Sequence, residues 1–229
     1  WQSQDNPSVS KTWTINTSYS ELVINEILAN TTEIDPDLIE LYYDGPEPLD
    51  LTDMSLTDDP TKPRKFIFNS LSMTSTIMQP GDYIILYGDQ TANKNHVGFA
   101  LKARGEGLYL YDKPANGMNL IDEIEFGTQI LYFSIGRDNN DRTWKLNHPS
   151  FGQPNIVAPL GDTDKLKINE WLADGEVLFD DDFIELYNPN PLPVELSGLY
   201  LTDNPVTQPD KYMLEPMSFI SAKGYAVFK

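Results

Sequence analysis

The feature that most constrains this chain is that it repeats itself. Leu22-Val-Ile-Asn-Glu26 returns as Leu166-Lys-Ile-Asn-Glu170, and residues 39–60 align with 184–205 without a gap, 11 of 22 positions being identical. The identities include Ile39-Glu-Leu-Tyr42 against Ile184-Glu-Leu-Tyr187 and Leu56-Thr-Asp58 against Leu201-Thr-Asp203. Further on, Gly81-Asp-Tyr-Ile-Ile-Leu86 answers to Lys223-Gly-Tyr-Ala-Val-Phe228. A repeat of this length is one structural unit used twice, so both copies must adopt the same local fold. The first copy continues for 68 residues after Tyr87, through Asn155, and these have no counterpart in the second. The expected organisation is an N-terminal extension over 1–21, a full module over 22–155, a linker over 156–165 carrying Pro159 and Gly161, and the front half of a second module over 166–229.

Strand signals dominate both copies. Runs rich in β-branched and aromatic residues recur at Leu22–Leu28, Leu38–Tyr43, Lys65–Phe68, Tyr83–Tyr87, Gly107–Tyr111, Leu120–Phe126 and Leu131–Ile135. Turn chemistry separates them, as in Asp44-Gly-Pro-Glu-Pro48, Pro80-Gly81 and Pro114-Ala-Asn-Gly117. Seventeen prolines and fourteen glycines are spread evenly enough that no helix of more than about three turns is expected. Closely spaced strands with hairpin-length loops predict an all-β antiparallel sandwich or barrel rather than βαβ units. Thr12–Thr17 alternates in the manner of an edge strand.

In order, an Ile-Asn-Glu strand, an acidic stretch, Ile-Glu-Leu-Tyr with a Pro-rich turn, Leu-Thr-Asp and a Gly-Tyr strand resemble the lamin tail domain. The rest of the first copy agrees, with Phe99-Ala-Leu101, Gly105-Glu-Gly-Leu-Tyr-Leu110, Ile121-Asp122, Ser134-Ile-Gly-Arg137, Trp144 and Gly152-Gln-Pro-Asn155. Tyr43-Asp-Gly departs from the family pattern, which the second copy keeps at Tyr187-Asn-Pro. The resemblance implies an immunoglobulin-like β-sandwich in tandem modules, without catalytic residues, of the kind bacterial members carry in exported or surface proteins. It therefore implies a non-catalytic binding or spacer module outside the cell or in its envelope, meeting a protein or a glycan. The alternative is an accessory domain of a larger extracellular hydrolase or nuclease.

Composition narrows the partners. Residues 1–155 carry 11 basic and 22 acidic side chains and residues 156–229 carry 5 and 13, so both parts contribute to the net charge of −19. Binding to nucleic acid rests on neutralising phosphates, and a field of this sign repels a polyanion. No cysteine is present, which removes disulfides and thiolate metal sites and fits a secreted or envelope protein, although cytosolic proteins also lack cysteine. No run approaches the ~20 apolar residues that span a bilayer, so membrane insertion is not expected. The chain begins at Trp1 rather than Met, which suits a processed product.

Few residues invite chemistry. Because side chains alternate across a strand, Ile39 and Leu41 share one face and Glu40 and Tyr42 the other. Glu40 and Glu185 suit acid–base work only if a second acid faces each, and the preferred reading is a structural glutamate holding loop amides, as for Glu26 and Glu170. Asp58 and Asp203 are read as turn caps. Arg137 is read as bracing an acidic loop in preference to holding an anion. Calcium, which takes several carboxylate and carbonyl oxygens from flexible loops, is the one cofactor the charges invite. Its candidate ligands are Asp35 and Asp37 and their counterparts Asp180, Asp181 and Asp182, although a solvated acidic loop is preferred and neither stretch has EF-hand spacing. Trp144, Trp171 and Tyr200 are candidate contact aromatics. Half a sandwich exposes apolar strand faces, so the segment from 166 is expected to pack on the first copy or to self-associate.

Overall fold

The computed structural model describes residues 21–32, 34–173 and 182–229. The expected strand at 12–17 and the calcium candidates Asp180 and Asp181 lie outside the described residues. No α-helix occurs among the described residues, only 3-10 turns at Pro114–Asn116 and Thr163–Lys165. No helix there is long and apolar enough to cross a membrane.

The first region holds β1 (Leu22–Leu28), β2 (Asp37–Tyr43), β3 (Leu49–Asp50), β4 (Ser55–Thr57), β5 (Phe66–Ile67), β6 (Ile77–Met78), β7 (Tyr83–Gly88), β8 (Glu106–Tyr111), β9 (Leu120–Phe126), β10 (Ser134–Arg137), β11 (Trp144–His148) and β12 (Ile156–Val157). One antiparallel sheet runs β12-β11-β10-β1-β2-β7 and a second runs β5-β4-β8-β9, with β3 and β6 paired beside them. The two sheets face each other as an immunoglobulin-like sandwich. Ile24, Ile39, Leu41 and Leu86 of the first pack with Leu56, Leu108, Leu110 and Ile124 of the second in one buried core. Alternation along each strand puts these residues on one side, and dispersion plus the hydrophobic effect make that side the inner one.

Two sequence expectations shift. The strand expected from Leu131 starts at Ser134, because Tyr132 takes a left-handed backbone (φ 60°) and Phe133 closes a turn onto the Ile130 carbonyl. The linker expected over 156–165 is partly sheet, since Ile156 and Val157 pair with His148 and Asn147 as an edge strand.

The second region comprises β13 (Lys167–Leu172), β14 (Phe183–Tyr187), β15 (Val194–Glu195), β16 (Tyr200–Leu201), β17 (Tyr212–Met213), β18 (Phe219–Ile220) and β19 (Tyr225–Phe228). Its sheet β13-β14-β19 repeats β1-β2-β7 register for register. Glu26 faces Glu40 and Ile27 faces Ile39 in the first; Glu170 faces Glu185 and Trp171 faces Ile184 in the second. Both first strands bulge at the Asn of Ile-Asn-Glu, between Ile24 and Glu26 and between Ile168 and Glu170. The pairs β15–β18 and β16–β17 correspond to β3–β6 and β4–β5.

The two regions are fastened together. The Gly127 amide donates to the Pro216 carbonyl (2.7 Å), the Phe219 amide to the Thr128 carbonyl (2.8 Å), and Gln129 Nε2 to the Met217 carbonyl (2.6 Å). Phe219, 1% exposed, belongs to the core of the first sandwich. Gly127 permits this approach, because a Cβ there would sit 2.0 Å from Ser218 Oγ. Between the regions, Ala158 donates to Leu146 and Gly161 to Pro193, so the connecting segment is tied on both sides.

Candidate functional site

The repeated polar residues converge on the outer face of the first sheet. Glu26 and Glu40 are register partners on β1 and β2, and both are 0% exposed. A loop from the far end of the module, Ser150–Asn155, folds over them. Glu26 Oε1 accepts from Ser134 Oγ (2.6 Å) and from the Ser150 amide (3.0 Å). Glu40 accepts from Asn25 Nδ2 (2.8 Å) through one oxygen and from the Gly152 amide through the other. Asn155 completes the clamp, donating from Nδ2 to the carbonyls of Asn25 (3.1 Å) and Arg137 (2.8 Å). Gly136 opposite Glu26 makes room, since a Cβ there would meet Asn147 at 2.2 Å and Asn155 at 2.7 Å.

Burial raises the pKa of both carboxyls. Glu40 is pushed up to about 7, desolvation outweighing the hydrogen bonds from Gly152 and Asn25, with repulsion from Glu26 adding to it. Glu26 is raised by desolvation against the donors Ser134 and Ser150. A second acid does face Glu40, which was the condition for acid–base chemistry. Yet every carboxylate oxygen of the pair is taken by a donor of the chain and neither residue meets solvent, so no path leads a substrate to it. The arrangement pins a loop to a sheet.

Arg137 and Asp122 brace the same end. Arg137 Nη2 donates to both Asp122 oxygens (2.7 and 2.9 Å), Nε to the Ile24 carbonyl (2.9 Å), and the guanidinium lies 4.8 Å from the Trp144 ring centroid. Arg137 therefore binds an acid of its own module, and Trp144 is half-buried beneath it. Trp171 and Tyr200, by contrast, are exposed in the second region.

The remaining candidates resolve into local contacts. Asp58 pairs with Lys65 and Asp203 with Lys211 (2.8 Å), linking neighbouring strands instead of capping the turn. The hydroxyls before them do the capping, Thr57 Oγ1 accepting from the Asp59 amide (3.0 Å) and Thr202 Oγ1 from the Asn204 amide (2.9 Å). Of the calcium candidates, Asp37 is buried and accepts from the Leu101 amide (2.7 Å), Asp35 is exposed and accepts from Thr32 Oγ1 (2.7 Å), and Asp182 is exposed. Among the described residues no group of three or more acids and histidines is gathered as a metal would need.

In the second region Asn169 Nδ2 donates to Glu185 Oε1 (2.7 Å), as Asn25 does to Glu40, so half of the clamp is already set. Nothing among the described residues stands where Ser134, Ser150, Gly152 and Asn155 stand in the first, and Asn169 and Glu170 are exposed.

Residues 16–128 match the family model of the lamin tail domain. That stretch is thus similar to the lamin tail domain, a non-catalytic immunoglobulin-like family. The match spans β1 to β9, while the strands and loop that seal the glutamate pair follow at 134–157. No curated protein and no solved structure matches the chain.

Proposed function

We propose that this chain is a binding and spacing element of an exported or cell-surface bacterial protein, built from one full lamin-tail-like module over 22–155 and the front half of a second over 166–229. The observation that carries the reading is the sealed glutamate pair. The most chemically suggestive residues of the repeat are spent on holding a loop, and the Arg137–Asp122 pair beside them is spent in the same way. Contact with a protein or glycan then falls to the exposed aromatics Trp171 and Tyr200 and to loop rims. The net charge of −19 opposes nucleic acid as the partner. Calcium, if bound, would draw on the acids Asp35 and Asp180–Asp182, Asp37 being already engaged by Leu101.

The test is a hydrolase screen with Glu40→Gln as its control. No activity is expected above background for either protein; an activity lost in Glu40→Gln with the fold retained by circular dichroism would overturn the reading. The parent gene's neighbouring domains separate a free-standing surface module from the accessory part of a hydrolase or nuclease.

A further inference from the structure

The loop that seals the glutamate pair depends on the charge the pair carries. Of the hydrogen bonds that fix Ser150–Asn155 to the sheet, those at Ser150 and Gly152 end on carboxylates, the Ser150 amide and hydroxyl on Glu26 and the Gly152 amide on Glu40. Both glutamates are fully buried and face each other across β1 and β2. Their donors Ser134, Ser150, Gly152 and Asn25 are all neutral. The titratable groups on the surrounding elements are Tyr42 on β2, Tyr83 on β7, Arg137 on β10, and Lys145 and His148 on β11; the loop itself brings none. Arg137 is engaged by Asp122, and Arg142, which lies over the Tyr42 ring, by Asp44. No cation among the described residues pairs with Glu26 or Glu40. Two apposed buried carboxylates without a counter-ion cannot both ionise without a large penalty, so near neutrality the pair holds one proton between them. From this loop the chain runs straight into the junction, through β12 to Ala158, bonded to Leu146, and Gly161, bonded to Pro193.

We propose that the Ser150–Asn155 loop is a proton-operated latch, which closes tightly while Glu26 and Glu40 hold a proton and loosens, together with β12 and the connecting segment, once both are ionised. It stands apart from the binding role proposed above and needs no ligand. Glu40 is pushed up to about 7 in the closed site against 4.5 in solvent, so closure is tightest below about pH 4.5 and that advantage is gone above about pH 7. Burial raises Glu26 as well, which strengthens the same trend. Between pH 5 and pH 8 the closed-to-open ratio therefore falls on the order of fiftyfold. The bonds from Gly127 to Pro216 and from Phe219 to Thr128 lie outside the latch, so the two regions stay joined while the connecting segment slackens.

Hydrogen exchange on the full chain, corrected for base catalysis of exchange itself, tests the latch at the Ser150, Gly152 and Ala158 amides. Protection there is expected to fall on the order of fiftyfold from pH 5 to pH 8, through an opening insensitive to low urea. The buried Phe68 amide, bonded to Met54, is expected to stay roughly tenfold better protected. Glu40→Gln is expected to flatten most of the fall, and a fall of the same size in that variant would overturn the proposal. In the natural protein the Glu40 carboxyl carbon is expected to titrate near pH 7, where protection levels off. A midpoint below pH 5 would overturn the proposal even if Glu40→Gln does not fold. So would protection that ignores pH, or Ser150 and Gly152 exchanging as slowly as Phe68, since the loop would then leave only with the whole sandwich. Constant protection at Ala158 while Gly152 loosens would overturn the coupling to the junction. None of these outcomes depends on the hydrolase screen, so the two readings fail separately.

Discussion

Ile24 and Ile168 hold the same register position in the same pair of strands, and one is sealed while the other is open to water. The strands agree residue for residue through the bulge, the facing glutamates and the facing tyrosines Tyr42–Tyr83 and Tyr187–Tyr225. What differs is the layer above. In the first sandwich β8 and β9 cover the inner face, β10 and β11 extend the sheet at the β1 edge and the 150–155 loop covers the outer face; in the second region no such elements are present among the described residues. A strand sequence thus fixes pairing and side, while burial belongs to whatever covers it. The same carboxylates are a sealed clamp in one place, and in the other Glu170 is exposed and Glu185 half-buried.

The largest expected effect concerns the seam. Phe219→Ala should cost about 3 to 5 kcal/mol as a core truncation, whereas Ile77→Ala, at the equivalent position of the first β3–β6 pair and 44% exposed, should stay within about 0.5 kcal/mol. Urea unfolding of both variants checks this, and equal losses would break the asymmetry.

Next comes the matched pair itself. Ile24→Ala should cost about 2 to 5 kcal/mol and Ile168→Ala under about 0.5 kcal/mol, because only the first leaves a cavity. A thermal melt that separates them by less than a few degrees would show Ile168 to be covered in solution.

The buried pair adds a pH dependence confined to the first sandwich. Glu40 has a folded pKa of about 7 against 4.5, so the folded state holds its proton more tightly. The resulting stabilisation is complete below about pH 4.5 and is lost as pH rises through 7, on the order of 3 kcal/mol. Glu26 acts in the same direction. Urea midpoints at pH 5 and pH 8 should therefore fall with rising pH in the natural protein and flatten in Glu40→Gln; a slope that survives the substitution would assign it to other groups.

The smallest contrast is between the asparagines. Asn155→Ala leaves the carbonyls of Asn25 and Arg137 without their donor in a buried site and should cost about 1 to 3 kcal/mol. Asn169→Ala, on an exposed edge, should cost less than about 0.5 kcal/mol by the same denaturation assay.

Much of this comparison was legible in the residues. The repeat predicted both strand sets, the alternation put Ile39 and Leu41 inside, and Glu40 was read as holding loop amides, as it does. The donors were harder to find, because Gly152 lies 112 residues from Glu40 and Ser150 lies 124 from Glu26. Periodicity reports only on neighbours; the signal for these partners was the closing Gly152-Gln-Pro-Asn155 motif carried by the family resemblance. Strands β11 and β12 escaped notice because Lys145, Asn147 and His148 dilute the pattern and the edge is two residues long. Phe219 left no trace at all. Its position faces outward within its own module, and only a neighbouring core gives it a reason to be aromatic.

That seam has a mechanical consequence. With Ala158 held by Leu146, Gly161 held by Pro193 and Phe219 lodged in the neighbouring core, the junction has no free swivel. An array assembled with joints of this kind would behave as a stiff strut, its reach growing with each added unit in proportion to length rather than as the square root that governs slack tethers.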